Sequence, residues 1–264
     1  MSIVLGGLYR YPVKSLRGES LALAEVGARG LLYDRHWMLV DEDARFLTQR
    51  ELPRMVLVRS RIQESGLVLS APGMSDLQLQ ANSDEELQVQ IWRDQCTARV
   101  MSRTADQWLS DFLDVSCRLV YLPDEQVRPV DQGFARSEDQ VGFADGFPFL
   151  LISRASLDDL NQRMGRSLPM ERFRPNLVVE GCAAYAEDDW KHIRIGDLEF
   201  RVVKPCTRCV IPTIDPETGR RTGKEPLKTL AGYRKRGNNV YFGQNLIHDA
   251  RGRLQTGMPV EILE

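Results

Sequence analysis

Short runs in which apolar and polar residues alternate are the feature that most constrains the fold of this chain. Residues 77–80 (LQLQ) and 87–91 (LQVQI) repeat with a period of two, which predicts half-exposed strands. Similar or fully apolar runs predict further strands, with turns near 64–66 and 82–84. These predicted strands are residues 36–40, 55–61, 66–70, 119–122, 177–179, 192–195, 199–203, 210–214, 240–242 and 260–263.

Three segments have helical patterns. Residues 105–114, with Thr104 as the predicted cap, carry one apolar stripe, which we expect to be core; its members are Trp108, Leu109, Phe112 and Leu113. Residues 155–164 follow Ser153 as a cap, and residues 226–233 begin at Pro226. The pattern predicts a β-rich α+β fold with two barrel-like halves and a few short helices.

The segment 124–147 has no clear period and is rich in Asp, Gln, Arg and Gly. A long irregular segment inside a compact chain is usually functional or disordered. We expect this one to shape an opening to a site.

Composition excludes several classes of protein. The chain has 264 residues, 42% hydrophobic and 27% charged, with a formal net charge of -2, so it can bury a sizeable core and has no overall basic field for nucleic acid. Its five cysteines are odd in number and irregularly spaced, which favours a reducing compartment. We expect no signal peptide, no membrane span and a cytoplasmic location, because no apolar run approaches ~18 residues.

The segment 204–209 (KPCTRC) places two thiols, Cys206 and Cys209, between strand-like runs. A redox pair is disfavoured, because the following β-branched residues and prolines cannot form the helix that lowers a thiol pKa. Zinc is disfavoured too, because no second pair of ligands is evident. Two readings stay open: both thiols are small buried residues, or one of them binds a soft metal beside the cation of Arg208.

Four clusters of cationic or polar residues stand out: 11–15 (YPVKS), 34–37 (DRHW), 172–176 (RFRPN) and 233–236 (YRKR). In the first three, the Lys or Arg lies beside a strand-like or proline-fixed segment. Each segment on its own is consistent with ordinary solvated surface. Cationic side chains that are fixed in position and point to one place would bind a phosphate or several carboxylates.

Taken together and in order, these segments resemble the MOSC family, named for the molybdenum-cofactor sulfurase C-terminal domain. The resemblance is strongest to the subgroup of amidoxime-reducing proteins and their bacterial relatives. Residues 11–15 and 30–37 are similar to an N-terminal MOSC β-barrel domain, which we expect over residues 1–122. The MOSC domain itself is expected over residues 123–264, on the motifs 143–148 (FADGFP), 156–161 (SLDDLN), 173–176 (FRPN), 206–209 (CTRC), 215–219 (DPETG) and 224–227 (KEPL).

The resemblance implies a pyranopterin molybdenum cofactor between the two domains. It implies that Cys209 is the thiolate ligand of molybdenum and the catalytic residue, with Cys206 structural; soft thiolates suit such a metal. The other implied cofactor contacts are Lys14, Ser15, Arg35, Arg174 and Asn176, with Asp145, Gly146 and Arg208 as weaker ones.

The implied activity is reduction of N-hydroxylated compounds, namely hydroxylamines, amidoximes and hydroxylated bases. No cysteine follows Cys209, so we expect no iron–sulfur cluster in this chain. Electrons are then expected from a separate protein of the ferredoxin, flavodoxin or cytochrome type. The alternatives are a non-catalytic carrier of the cofactor or of sulfur, and a metal-free redox or binding protein on the same fold.

Overall fold

The computed structural model describes residues 2–64, 66–80 and 83–264. Strands dominate the described part of the chain, and three α-helices accompany them: α1 (Arg103–Leu113), α2 (Arg154–Met164) and α3 (Leu227–Ala231). The strands are β1 Val4–Arg10, β2 Glu19–Leu21, β3 Leu23–Gly27, β4 Gly30–Leu31, β5 Trp37–Val40, β6 Arg59–Gln63, β7 Gly66–Ser70, β8 Leu77–Leu79, β9 Glu86–Ile91, β10 Asp94–Val100, β11 Arg118–Tyr121, β12 Phe149–Ser153, β13 Leu177–Glu180, β14 His192–Ile195, β15 Leu198–Thr207, β16 Lys235–Arg236, β17 Asn239–His248, β18 Gly252–Gln255 and β19 Val260–Ile262. This composition confirms the predicted β-rich α+β class.

The largest sheet has nine strands in the order β19-β14-β15-β17-β12-β13-β1-β2, with β16 paired to β17. Its β12 and β13 are parallel, as expected where a helix, here α2, makes the crossover between them. A four-stranded sheet has the order β5-β11-β10-β9, and two three-stranded sheets have the orders β18-β3-β4 and β6-β7-β8.

The two halves of the chain exchange strands. The N-terminal strand β1 pairs with β13 of the second half, and β18 near the C-terminus pairs with β3. Pairing over such distances in sequence fixes how the first and second halves face each other. The expected division between residues 122 and 123 stays a prediction.

Helix α1 covers the core of the N-terminal half. Leu109, Phe112 and Leu113 are buried there, and Trp108 packs at the edge, as the apolar stripe predicted. The predicted cap was wrong: Ser102, and not Thr104, accepts the hydrogen bond from the backbone N–H of Ala105. Serine and threonine are both good N-caps. Because Ser102 and Thr104 are two positions apart, the sequence alone does not decide at which of them the helix begins.

Helix α2 begins after Ser153, whose side chain accepts from the backbone N–H of Ser156, so this cap is confirmed. The buried carboxylate of Glu187 accepts from the Ser153 backbone N–H at 3.1 Å and from the Ser156 hydroxyl at 2.8 Å. These bonds fix the start of α2 against the sheet. Helix α3 is shorter than the predicted segment 226–233.

One predicted strand was wrong in part and another was wrong. The first half of the predicted strand 55–61 belongs to a 3-10 helix, Pro53–Leu57, and β6 starts only at Arg59. The predicted strand 210–214 is absent: Ile211–Thr213 forms a 3-10 turn, since Pro212 has no N–H to give to a ladder. The predicted turns at 64–66 and 82–84 include Ser65 and Asn82, which lie outside the described residues.

The irregular segment 124–147 is tied to the N-terminal half by buried side chains, and Arg128 is one of them. Arg128 donates to Asp94 at 2.7 Å and to the carbonyls of Gly142 and Ala144 at 2.7 and 2.6 Å. The segment therefore has a defined path, although it contains little regular structure. In the parts of the chain that the structure describes, none of the helices has the length and hydropathy needed to cross a membrane.

Candidate functional site

A cleft between the two halves brings the predicted site residues together. It consists of an inner cavity of about 160 Å³ and an adjoining outer cavity of about 950 Å³. Residues shared by both cavities are Arg50, Asp145, Gly146, Phe147, Cys206, Thr207, Arg208, Cys209 and Asn245. All the residues implied by the resemblance line the inner cavity, namely Lys14, Ser15, Arg35, Asp145, Gly146, Arg174, Asn176, Arg208 and Cys209. Their individual roles stay predictions.

The two thiols occupy different positions in this cleft. Cys206 lies near the end of β15, and Cys209 lies just beyond that strand. Both are free and half-buried, which argues against two inert core thiols. Arg208, the residue just after β15, donates from Nη1 to the Cys206 sulfur at 3.2 Å, so the geometry distinguishes Cys206, which accepts this bond, from Cys209.

Arg50 binds Asp145 in one wall of the cleft. Its guanidinium donates to Asp145 at 3.0 Å, and Arg50 lines both cavities together with Cys209. Burial would lower the pKa of Arg50, but the neighbouring Asp145 carboxylate outweighs burial and raises that pKa. Arg50 therefore stays a cation in the part of the cleft that also holds the Cys209 thiol.

Lys14 is a buried cation in the same wall. Its ammonium donates to the carbonyl of Phe143 at 2.9 Å and to Asp145 Oδ1 at 2.5 Å. Burial lowers the pKa of Lys14, and Asp145 opposes that shift. Burial would raise the pKa of Asp145, but Lys14 and Arg50 outweigh it and hold that pKa well below its usual value.

Arg35 and Arg174 converge on one aromatic ring. Each guanidinium carbon lies 4.3 Å from the ring centroid of the buried Tyr11, a cation–π distance. Burial and the nearby charge of Arg35 lower the pKa of Arg174 to about 10. Two cations held this close favour an anion beside them.

The partners of these two arginines differ. Arg35 donates to Asp34 Oδ2 at 2.5 Å and to Asn176 Oδ1 at 3.1 Å. Arg174 donates to the backbone carbonyl of Leu16 at 2.8 Å, and among residues 2–64, 66–80 and 83–264 it has no carboxylate within ion-pair distance. Arg174 is thus a cavity cation whose charge no carboxylate of the described residues neutralises.

Asn176 acts on Arg35 and on the surrounding backbone. Besides accepting from Arg35, its side-chain oxygen accepts from the Leu150 N–H at 3.3 Å, and its amide donates to the Tyr9 carbonyl at 3.2 Å. The side chain is almost completely buried. In this structure it orients Arg35 and joins the β12 strand to β1.

The charge of the inner cavity is strongly positive. Its lining has one carboxylate, Asp145, against five cations: Lys14, Arg35, Arg50, Arg174 and Arg208. The buried Nε of Arg208 also has no hydrogen-bond partner within the described part of the chain. Buried donors are usually bonded, so cations and an unbonded donor together fit a polar, anionic ligand.

Four residues of the cleft have left-handed backbone conformations. Ser15, Arg35, Trp92 and Arg174 have φ of 65°, 48°, 54° and 57°. Such values are uncommon for residues other than glycine and concentrate at functional sites. The strain turns the Ser15, Arg35 and Arg174 side chains toward one cavity.

Sequence reasoning missed Arg50 and Trp92. Arg50 comes from a segment without a motif, and only the tertiary fold places it beside Asp145. The sequence does contain a signal for Trp92. It stands between the alternating run 87–91 and Asp94, where a tight turn prefers Gly or Asn, so a tryptophan is unusual at this position.

Two family profiles match the chain, one in its first half and one in its second half. The family profile described as "MOSC N-terminal beta barrel domain" matches residues 2–116, and the profile described as "MOSC domain" matches residues 138–261. The barrel-like N-terminal domain and the MOSC domain expected from the motifs are therefore present.

Several named proteins are similar to nearly the whole chain. Mitochondrial amidoxime-reducing component 1 of Mus musculus is 38% identical over 97% of this chain and 81% of its own length. The component 1 of Homo sapiens is 36% identical over 97% and 82%, and the human component 2 is 37% identical over 86% and 71%. The crystal structure of the YuaD protein from Bacillus subtilis aligns with 98% of this chain and 94% of its own, at 12% identity and a TM-score of 0.46.

Proposed function

Because the chain belongs to the family of MOSC-domain proteins that includes the mitochondrial amidoxime-reducing components, we propose that it reduces N-hydroxylated compounds to amines with a molybdenum cofactor. The observation that carries the proposal is the convergence of the Cys209 thiol, a residue of the matched motif 206–209, with five cations in a single cleft. The relatives are named for amidoxime reduction, which supports the reaction class.

The residues of the inner cavity fit a pyranopterin cofactor. A phosphate-bearing group would satisfy the crowded cations Arg35 and Arg174 and the unbonded Nε of Arg208. Gly146 leaves space, since nothing lies within 4 Å of where a Cβ would stand. The half-buried Cys209 would be the thiolate ligand, and when bound the cofactor's molybdenum would supply the two-electron redox chemistry.

The chain itself would bind and orient. Arg174 and Arg35 would hold the anionic end of the cofactor, with Tyr11 and Asn176 fixing their positions. Arg50 would hold Asp145 in the part of the cleft that also holds Cys209. The outer cavity would admit the substrate and the two protons that the reaction consumes, since R–NH–OH, two electrons and two protons give R–NH₂ and water.

Electrons would come from a separate protein of the ferredoxin, flavodoxin or cytochrome type. The expected absence of an iron–sulfur cluster from this chain and its expected cytoplasmic location stay predictions; the mouse and human relatives are named as mitochondrial.

Turnover tests this function. Protein purified from a host that makes the cofactor, supplied with a reduced artificial electron donor, should convert benzamidoxime to benzamidine. The matched control is the same protein with Cys209→Ala, which should give no product above background. Absence of product from molybdenum-loaded protein, with benzamidoxime and with hydroxylamine, would favour the carrier alternative.

A further inference from the structure

Trp92 occupies a turn that does not suit its side chain. Strands β9 and β10 pair antiparallel with Ile91 opposite Asp94, so Trp92 and Arg93 alone make the connection. The first residue of this turn has φ of 54°. Glycine, asparagine and aspartate are the residues that two-residue hairpins normally use at such angles, and a bulky aromatic is disfavoured there.

The ring of Trp92 is exposed, yet it is held. The residue is 45% exposed and lines the outer cavity. The guanidinium carbon of Arg50 lies 4.7 Å from the ring centroid, and the ring of Phe46 meets it at 4.8 Å and 62°. Trp92 Nε1 also donates to Asp145 Oδ1 at 3.3 Å.

These contacts connect Trp92 to the reaction site. Arg50 touches Trp92 and Asp145 and lies beside Cys209. An ordered aromatic surface thus stands at the entrance of the cavity whose inner end holds the proposed metal ligand. Two of the three side chains that the indole contacts, Arg50 and Asp145, line the cleft, and the third is Phe46.

We propose that Trp92 is the aromatic platform on which planar, π-conjugated N-hydroxylated substrates stack, and that it selects them over aliphatic hydroxylamines. This inference rests on the proposed reductase function. Aryl amidoximes and N-hydroxylated heterocyclic bases have the flat π face that stacks on an indole. An aliphatic hydroxylamine lacks such a face and gains little from the ring.

Two substitutions separate stacking from structural support. Trp92→Gly removes the ring, and the relieved positive φ offsets part of the lost contacts, so the variant should still fold. Trp92→Phe keeps an aromatic face but removes the hydrogen bond to Asp145. The matched control is Trp108→Phe, since Trp108 lies on α1 outside the cleft and donates to the carbonyl of Ser75.

The measurement is the ratio of kcat/KM for benzamidoxime to kcat/KM for N-methylhydroxylamine, on protein of equal molybdenum content. Trp92→Gly should lower this ratio about 3–10-fold, mainly through KM for benzamidoxime. Trp92→Phe should keep most of the native ratio, and Trp108→Phe should leave it unchanged. Benzamidoxime should also quench a tryptophan fluorescence component that is present in the native protein and missing from Trp92→Gly.

Other results would overturn the platform. An unchanged ratio in Trp92→Gly, including the case in which kcat/KM falls equally for both substrates, would show that the ring does not select the aromatic substrate. A loss in Trp92→Phe as large as in Trp92→Gly would assign the effect to the Asp145 hydrogen bond. If the native protein reduces neither substrate, the proposed function fails; fluorescence quenching that requires Trp92 would still support the platform, and its absence would overturn it as well.

Discussion

Lys14 and Asp145, 131 positions apart in the sequence, form an ion pair of 2.5 Å within one wall of the cleft. The lysine is buried and the carboxylate is 54% exposed. The lysine therefore depends on this partner for its charge, whereas the carboxylate is also solvated and shared with Arg50.

Asp145→Asn should destabilise the protein by about 1–2 kcal/mol near neutral pH, because it leaves Lys14 buried without a negative partner. The loss is smaller than for a fully buried ion pair, because solvent screens the exposed carboxylate. Urea unfolding at pH 7 measures the change. The matched control, Glu217→Gln, removes an exposed partner of Arg17 and should change stability by less than about 0.5 kcal/mol. An Asp145→Asn effect no larger than this control would contradict the assigned dependence.

The ion pair of Lys14 and Asp145 should also contribute to the loss of protein stability in acid. A carboxyl whose pKa is lowered in the folded state stabilises the fold above its unfolded pKa of about 3.9, and that contribution is lost as the pH falls below this value. Below about pH 4 the native protein should therefore lose stability more steeply than Asp145→Asn. Parallel stability curves for the two proteins from pH 5 to 2.5 would rule out this contribution.

The sequence predicts most of the residues that line the site, but it predicts less of the pairing between strands that are far apart in sequence. Lys14, Arg35, Arg174 and Cys209 stand in motifs with a family resemblance, and they line one cavity. Arg50 has no local signal, because its importance arises from contacts with segments far away in sequence.

Elements that depend on tertiary contacts were the ones missed. The pairing of β1 with β13 joins residues more than 160 positions apart, and no local pattern encodes it. The start of α1 depended on a choice between Ser102 and Thr104, two residues of similar capping strength. The strands β15 and β17 extend beyond their apolar runs because each pairs with the other over most of its length.

His36 should make the protein less stable in mild acid. Burial, reinforced by the charge of Arg29, lowers the pKa of His36 to about 4. The unfolded chain takes up a proton near pH 6.5 and the folded chain does not, so stability is full above 6.5 and falls as the pH drops toward 4. We expect a loss of about 2 kcal/mol from this residue, measured by urea unfolding at pH 7.5 and 4.5.

His36→Phe should remove most of that loss, since the ring keeps its contacts with Trp37 and Tyr121 but cannot take a proton. His248, whose pKa burial also lowers, should account for part of what remains. The control His192→Gln changes a histidine on β14 and should keep the native loss. A His36→Phe protein as acid-sensitive as the native one would contradict this assignment.

Arg174 should be the main determinant of anion binding in the cofactor-free protein. Inorganic phosphate at ten times its Kd should stabilise the native chain by about 1.4 kcal/mol, or raise Tm by about 3 °C. Arg174→Met removes the charge while keeping an apolar stem, and it should abolish most of this shift. Arg253→Met, at an exposed arginine paired with Glu25, should leave the shift unchanged. An equal shift in the native protein and Arg174→Met would exclude Arg174 as the anion site.

The decisive measurement is the molybdenum and pterin content of the purified protein. Native protein, Cys206→Ala and Cys209→Ala are prepared from the same cofactor-producing host and compared at equal folded concentration. We expect stoichiometric molybdenum in the native protein and in Cys206→Ala, and a loss of most of it in Cys209→Ala. Equal molybdenum in Cys209→Ala and the native protein would contradict the ligand assignment, and native protein without molybdenum or pterin would contradict the proposed function itself.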